Sequence, residues 1–276
     1  MKVSAIDTGF FKLDGGAMYG VVPKTIWNKF NPADENNMCN WAMRCLLVET
    51  GNRKILIDTG IGTKQSDKFY SYYFLNGTET LLGSLSLKGL EPEDITDVIL
   101  THLHFDHVGG AVIKNNDGNL VPTFPNATYH VSKNHWDHAC FPNAREKASF
   151  LGENFLPLQE HGVLRFADKD EEIAPGIWAH IVGGHTVDMI CPKIETDDGI
   201  LLYAADLFPS STHIPVNYVM GYDIEPLVTM EERQRTNEMA FLENWNYFLE
   251  HDHVHEVCKV ARDERGRFRA VEMNHL

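Results

Sequence analysis

The chain carries His102, His104, Asp106 and His107 within one run of six positions, preceded by Thr101, with further histidines and aspartates far downstream. Three imidazoles and a carboxylate at that density form a ligand set for divalent metal. Imidazole suits zinc, iron, nickel or copper, and the carboxylate adds negative charge and tolerates harder ions. On an extended segment residues i and i+2 point the same way, so His102 and His104 can share one ion. Asp106 and His107, displaced along the turn that opens the next helix, then face a second position close by. Each ion needs more ligands than this run holds. Gly183-Gly184-His185-Thr186 supplies a histidine after a strand, and its glycines are expected to let the backbone approach the ion. Asp206, also at an expected strand end, can bridge, because a shared carboxylate offsets the repulsion of two dications ~3.5–4 Å apart. His251 completes the second set. His253 and His255 stand beside it, and His251 is preferred because it directly follows Phe248-Leu249-Glu250, read as a helix end.

These residues need a scaffold that delivers several strand ends to one place. Residues 2–6, 43–49 and 54–57 read as strands, the last two joined by the turn Thr50-Gly51-Asn52. A helix is expected over 79–88 and a turn over 90–94, followed by the apolar strand 97–100, which runs straight into Thr101-His102. Open α/β sheets place functional groups at the carboxyl ends of strands, where several loops converge. Residues 127–131 read as a strand and 132–139 as a helix capped by Ser132, with an irregular, partly helical insertion over 141–162. Strands resume at 176–182, 187–194 and 200–203, the last two linked by the hairpin turn Thr196-Asp197-Asp198-Gly199. Residues 207–228 are aperiodic and rich in proline and aromatics, the profile of a lid or pocket loop. Thr229 with Glu232 three positions on reads as a capping box, opening a helix to about Leu249 that hands the chain to His251. No repeat or linker marks a boundary, so residues 1–276 are read as one domain.

Composition excludes several classes. Hydrophobic residues make up 43% and charged residues 23%, as in an ordinary globular protein, and no stretch approaches the ~20 apolar residues of a membrane span. The first ten residues carry one lysine and no sustained apolar run, so a cytoplasmic location is expected. Cys39, Cys45, Cys140, Cys191 and Cys258 are odd in number and never paired as C-x-x-C, which reads as reduced, buried thiols. With 24 basic and 39 acidic residues the net charge is −15, and no basic cluster exists to neutralise phosphates, so nucleic acid is excluded as a partner. Two triplets, Asp7-Thr8-Gly9 and Asp58-Thr59-Gly60, invite an aspartic-protease reading; they lie too close together for two lobes and leave the histidines unexplained. Trp27, Phe30, Phe69, Tyr70, Tyr72, Tyr73 and Phe74 supply an apolar pocket, ordinary core or the face of a homodimer.

At the metal motif the chain resembles the metallo-β-lactamase superfamily, whose signature is H-x-H-x-D-H, then a lone His, a bridging Asp and a final His. Ile57-Asp58-Thr59-Gly60 matches the D-T-G turn that precedes the motif there, and the resemblance covers nearly the whole length. It implies an α/β fold, the four-layer αβ/βα sandwich. By it, His102, His104 and His185 would hold one metal and Asp106, His107 and His251 the second, with Asp206 shared. The chain is most similar to the lactonase and organophosphate-hydrolase branch, through Gly16-Ala17-Met18-Tyr19-Gly20-Val21-Val22-Pro23 and the long segment after Asp206. It departs from the pattern G-H-T-P-G-H, here Gly184-His185-Thr186-Val187-Asp188-Met189. It also lacks the lactonase tyrosine shortly after the bridging Asp, where Leu207-Phe208-Pro209 stand, leaving Tyr218 or Tyr222 as substitutes.

The implied activity is cleavage of a small-molecule lactone or related ester by a hydroxide bridging two divalent ions, zinc first, with iron or manganese as alternatives. Coordination lowers the pKa of water from ~15.7 to about 7, which makes that nucleophile available at neutral pH. Asp106 would orient it or pass its proton to the leaving group, and Asp58 would fix a histidine tautomer. Phosphotriester or aryl-ester cleavage by the same centre, and an iron-dependent oxygenase of the persulfide-dioxygenase kind, are the rivals on these residues.

Overall fold

Side chains along residues 45–48 alternate between two apolar clusters: Leu46 and Val48 belong to one, Cys45 and Leu47 to the other. A strand buried on both faces belongs in an inner layer. In the computed structural model, which describes residues 1–276, that strand lies within a six-stranded sheet packed against a seven-stranded one. The strands are β1 (Lys2–Asp14), β2 (Met38–Thr50), β3 (Arg53–Ile57), β4 (Asp97–Ile99), β5 (Val112–Lys114), β6 (Leu120–Pro122), β7 (Thr128–Ser132) and β8 (Leu164–Ala167), then β9 (Glu172–Ala174), β10 (Ile177–Val182), β11 (Met189–Thr196), β12 (Gly199–Tyr203), β13 (Asn246–Phe248), β14 (Val257–Arg262) and β15 (Phe268–Asn274). The first sheet runs β1-β2-β3-β4-β7-β8, the second β15-β14-β13-β12-β11-β10-β9, and β5-β6 form a separate hairpin.

Ile55, Ile57 and Ile99 of the first sheet meet Ile177, Ala179, Ile181 and Leu202 of the second in the larger core cluster. Each of the isoleucines and Leu202 contributes roughly 1.5–3 kcal/mol by leaving water. Helices Leu81–Leu87, Lys133–Cys140 and Leu156–Glu160 cover the outer face of the first sheet through Leu81, Leu85, Trp136, Ala139 and Leu158. Helix Pro226–Glu243 covers the second, where Thr236 lies beside His180 of β10. The layers are therefore helix, sheet, sheet, helix, as the resemblance implied.

Direction matters more for the site. β3 and β4 are parallel, β12 and β13 are parallel, and β10 runs with β12 because each is antiparallel to β11. The carboxyl ends of all five strands thus meet at one rim. Three backbone hydrogen bonds join the sheets there, Ile190 N to Thr101 O at 2.9 Å, Ala42 N to His251 O at 3.2 Å and Arg44 N to Glu250 O at 3.2 Å.

Several expectations change. The helix expected over 229–249 begins three residues earlier, because Pro226 with its fixed φ takes the first turn, and Thr229 lies inside the helix rather than capping it. It also ends earlier, at Asn244 in the left-handed conformation (φ 55°), and the three-residue strand β13 carries the chain toward His251. Ser132 holds the N-cap position without a side-chain capping bond. β1 continues to Asp14, past a register shift between Asp7 and Phe10 where Gly9 has φ 94°. Residues 207–228 remain without a strand. Fully buried Arg233 pins them, donating from Nε to Leu207 O at 2.7 Å and from Nη1 to Tyr218 O at 2.6 Å and His213 O at 3.2 Å. No helix is long and apolar enough to cross a membrane. All five cysteines are free, four buried and Cys140 half-buried.

Candidate metal centre

Each cluster residue follows a strand end. Asp58 leaves β3 at φ 57°, and His102–His107 follow β4, with Phe105–Val108 forming a single helical turn whose N-cap position is His104. His185 follows β10, Asp206 sits in the turn Ala205–Leu207 after β12, and His251 follows β13. Positive φ at the non-glycine residues Asp58 and Ala205 is strain held by surrounding structure, and it lies at this rim. Gly184 has a different role from the one expected. At φ 102° it accepts the start of helix Pro226–Glu243, and a Cβ there would stand 2.4 Å from Thr229 N.

The seven residues come together as two sets. Donor atoms of His102, His104, His185 and Asp206 lie within 4.8 Å of one another, and so do those of Asp106, His107 and His251. His104 Nδ1 is 3.2 Å from His185 Nε2, and His107 Nε2 is 3.2 Å from His251 Nε2. Asp206 stands between the sets, its Oδ2 3.1 Å from His185 Nε2 and its Oδ1 3.2 Å from His251 Nε2. Asp106 Oδ2 is 3.8 Å from His107 Nε2 and 3.9 Å from His251 Nε2.

The outward nitrogens of His102, His107, His185 and His251 are held. His102 Nδ1 meets Thr101 Oγ1 at 3.0 Å, and Thr101 is bound through both N and Oγ1 by Asp58. His107 Nδ1 lies between Asp58 (3.2 Å) and Glu250 (3.1 Å). His185 Nδ1 meets Asp223 at 3.0 Å, and His251 Nδ1 donates to Ala42 O at 2.7 Å. His104 Nε2 makes no hydrogen bond and lies 3.5 Å from Glu146, whose oxygens are fixed by Thr186 and His138 at 2.6 Å each. Such partners set tautomers so that the inward nitrogens carry lone pairs. His102 Nε2 is buried inside the cluster with no hydrogen-bond partner in the protein. Five oriented imidazoles, two carboxylates and an orphaned inward nitrogen fit divalent cations.

Electrostatics agree. Burial, then the neighbouring rings, hold His102 well below its ordinary pKa. Burial also pulls on His185 and His251, but Asp206 outweighs it in both, with help from Asp223 and Glu250 respectively, lifting them to about 10 and about 9. Burial pushes Glu250 up to about 7 against the pull of His107.

The family model of the metallo-beta-lactamase superfamily matches residues 44–251. The chain belongs to that superfamily. Among curated relatives, an N-acyl homoserine lactonase of Bacillus cereus is 25% identical over 237 residues, covering 81% of this chain and 87% of the relative. Another, from a Bacillus species, is 27% identical over 229 residues, 78% and 84% of the two chains. A probable metal-dependent hydrolase from Staphylococcus aureus superposes with TM-score 0.88 at 28% identity, covering 98% of this chain and 97% of its own. A dizinc quorum-quenching lactonase superposes at 0.80 with 20% identity, covering 99% and 95%, which is a likeness of fold. The superfamily relatives are metal-dependent hydrolases, lactonases among them.

In this superfamily member, a cavity of about 330 Å³ opens on Asp106, His185, Asp206 and His251. Leu13, Met18, Tyr73, Phe105, Met220 and Tyr222 wall it. Of the two tyrosines considered as substitutes, Tyr222 lines this cavity and Tyr218 does not. His253, next to the chosen His251, lines a different cavity. The two Asp-Thr-Gly carboxylates are separately engaged, Asp7 by Arg44 and Asp58 as described. Sequence reasoning missed Glu146, Asp223 and Glu250. Glu250 had a signal, since it adjoins His251; the other two had none beyond lying in loops.

Proposed function

We infer that this protein hydrolyses a lactone or related small-molecule ester at a dinuclear centre. His102, His104, His185 and Asp206 would hold one divalent ion; Asp106, His107, His251 and the shared Asp206 would hold the other, with zinc as the metal. The observation that carries this is the placement of Asp206 between the two sets, its Oδ2 3.1 Å from His185 Nε2 and 3.7 Å from His107 Nε2 and its Oδ1 3.2 Å from His251 Nε2. Two bound dications would supply Lewis acidity and a water acidic enough to ionise near neutral pH.

The chain's own groups do the rest. Asp106 borders the cavity, where its carboxylate can take the proton of the attacking water as the new C–O bond forms. It can return that proton to the alkoxide as the ester C–O bond breaks. Tyr222 offers a phenol at the same cavity, a donor for the acyl oxygen. Leu13, Met18, Phe105 and Met220 give an apolar wall for an acyl chain and exclude water.

The test pairs elemental analysis of protein prepared without chelator with turnover of lactones, aryl esters and a phosphotriester. About two zinc per chain with lactone or ester turnover is the expected result. One iron per chain and no hydrolysis would point to oxygen chemistry and overturn the reading; preference for the phosphotriester would keep the centre and replace the substrate.

A further inference from the structure

A second cavity, of about 430 Å³, lies behind His251 and shares no lining residue with the metal-facing one. β2 contributes Trp41 to its wall, β15 contributes Arg269, Ala270 and Met273, and the turn Ser211–His213 and the segment after His251 close it. Its size suits a small organic molecule.

Three observations give it a chemistry. Trp41 is fully buried, and its indole N–H has no acceptor in the protein. Buried donors without partners are rare and costly, and a ligand oxygen would satisfy this one. Lys29 and Arg269 border the cavity, and neither is in ion-pair contact with a carboxylate. In a chain of net charge −15, two unpaired cations at one opening make a local positive field. The single carboxylate on the wall, Asp252, is fully engaged: its Oδ2 accepts from Ser211 N at 2.9 Å and Ser211 Oγ at 2.5 Å, and its Oδ1 from Val254 N at 3.0 Å and His255 N at 2.9 Å. It cannot serve as the partner of Lys29 or Arg269 without giving up those bonds. The remaining wall is largely apolar, with the rings of Tyr19, Phe30 and Tyr218, and the hydroxyl of Tyr19 is taken by Thr212 at 2.9 Å.

We propose that this cavity is a binding site for a small amphipathic carboxylic acid. Its carboxylate is met by Lys29 and Arg269, its hydrocarbon part lies against Tyr19 and Phe30, and a carbonyl or hydroxyl oxygen along its chain takes the Trp41 N–H. The site does not depend on which ester the metal centre cleaves. Asp252, on the cavity wall, directly follows His251 and is tied to Ser211.

The probe is 4-oxooctanoate, titrated by calorimetry into metal-loaded protein, with 2-octanone as the uncharged control. Because a carboxylate can also bind metal, the same titration is run on His104→Ala, which alters the metal centre alone. One saturable site is expected in wild type and in His104→Ala. It should weaken about tenfold or more in the Lys29→Gln/Arg269→Gln variant, whose changes are on exposed side chains, and severalfold in Trp41→Phe, which keeps the ring and removes the N–H. Equal binding of 2-octanone, absence of saturation up to ~10 mM, binding unchanged in the double glutamine variant, or binding lost only in His104→Ala would each overturn the proposal.

Discussion

Replacing Asp223 with asparagine should weaken one metal equivalent and spare the other. Asp223 Oδ1 holds His185 Nδ1 at 3.0 Å, while Oδ2 accepts from Met220 N at 3.1 Å, so one carboxylate both orients the ring and fixes the loop that walls the cavity. Asparagine keeps the shape and an acceptor oxygen but loses the charge that makes the imidazole more basic. Loss of a partner of this kind costs about 10–100-fold in metal affinity, or roughly 1.4–2.7 kcal/mol. The asparagine variant belongs at the low end and Asp223→Ala at the high end. His185 donates only to the set with His102 and His104, so the equivalent held by Asp106, His107 and His251 should change less than about threefold, which is roughly 0.7 kcal/mol. Stepwise titration of metal-free protein with zinc against a chromophoric chelator separates the two equivalents. Equal weakening of both, or of neither in Asp223→Ala, would refute the assignment of His185 to one set.

Three further perturbations probe other levels. His104→Ala should leave about one metal per chain and abolish hydrolysis while the far-ultraviolet circular dichroism stays unchanged, because its ring sits in the centre and not in either main core cluster. Gly184→Ala should destabilise the protein by about 2 kcal/mol or more, read by denaturant unfolding; φ is 102° and the new Cβ meets Thr229 N at 2.4 Å. Arg233→Met strands three carbonyls, two of them fully buried, and it should cost about 3 kcal/mol or more and open residues 207–222 to protease; a loss under about 1 kcal/mol would remove the pinning role of Arg233.

What the sequence revealed and what it hid divide along a physical line. The hairpin turns after Thr50 and Thr196 were legible because their residues are chosen by local backbone geometry, and β2–β3 and β11–β12 pair across them. The ligand candidates were legible because metal chemistry demands rare residue types at short spacing. β13 was hidden: Trp245, Tyr247 and Leu249 extend the apolar pattern of the preceding helix, and only Asn244 in the left-handed conformation breaks it. Glu146 and Asp223 were hidden because their partners, His104 and His185, lie about forty residues away along the chain, and an isolated acidic residue in a loop carries no sign of what it will face. Asp58 was legible through its Thr-Gly context, yet its hold on Thr101 as well as His107 emerges from strand pairing.

The charge around the centre sets a final expectation for pH. Six carboxylates, Asp58, Asp106, Asp206, Asp223, Glu146 and Glu250, are buried around five imidazoles, a placement that is costly unless cations accompany it. Without metal, protons are those cations: the carboxylates lift His185 to about 10 and His251 to about 9 despite the opposing effect of burial, and they raise His107 as well. A histidine whose folded pKa is raised contributes stability that is fully present below its unfolded value of about 6.5 and is lost as pH rises through the folded value. Chelated protein should therefore lose stability between pH 7 and 10, by up to about 1.4 kcal/mol per pH unit for each such histidine. In metal-loaded protein the rings are already neutral and coordinated, and metal binding no longer has to displace their protons as pH rises. The gap in melting temperature between loaded and chelated protein should then widen from pH 7 to pH 10. A gap that is constant or narrows over that range would mean that protons on these histidines do not stand in for the metals.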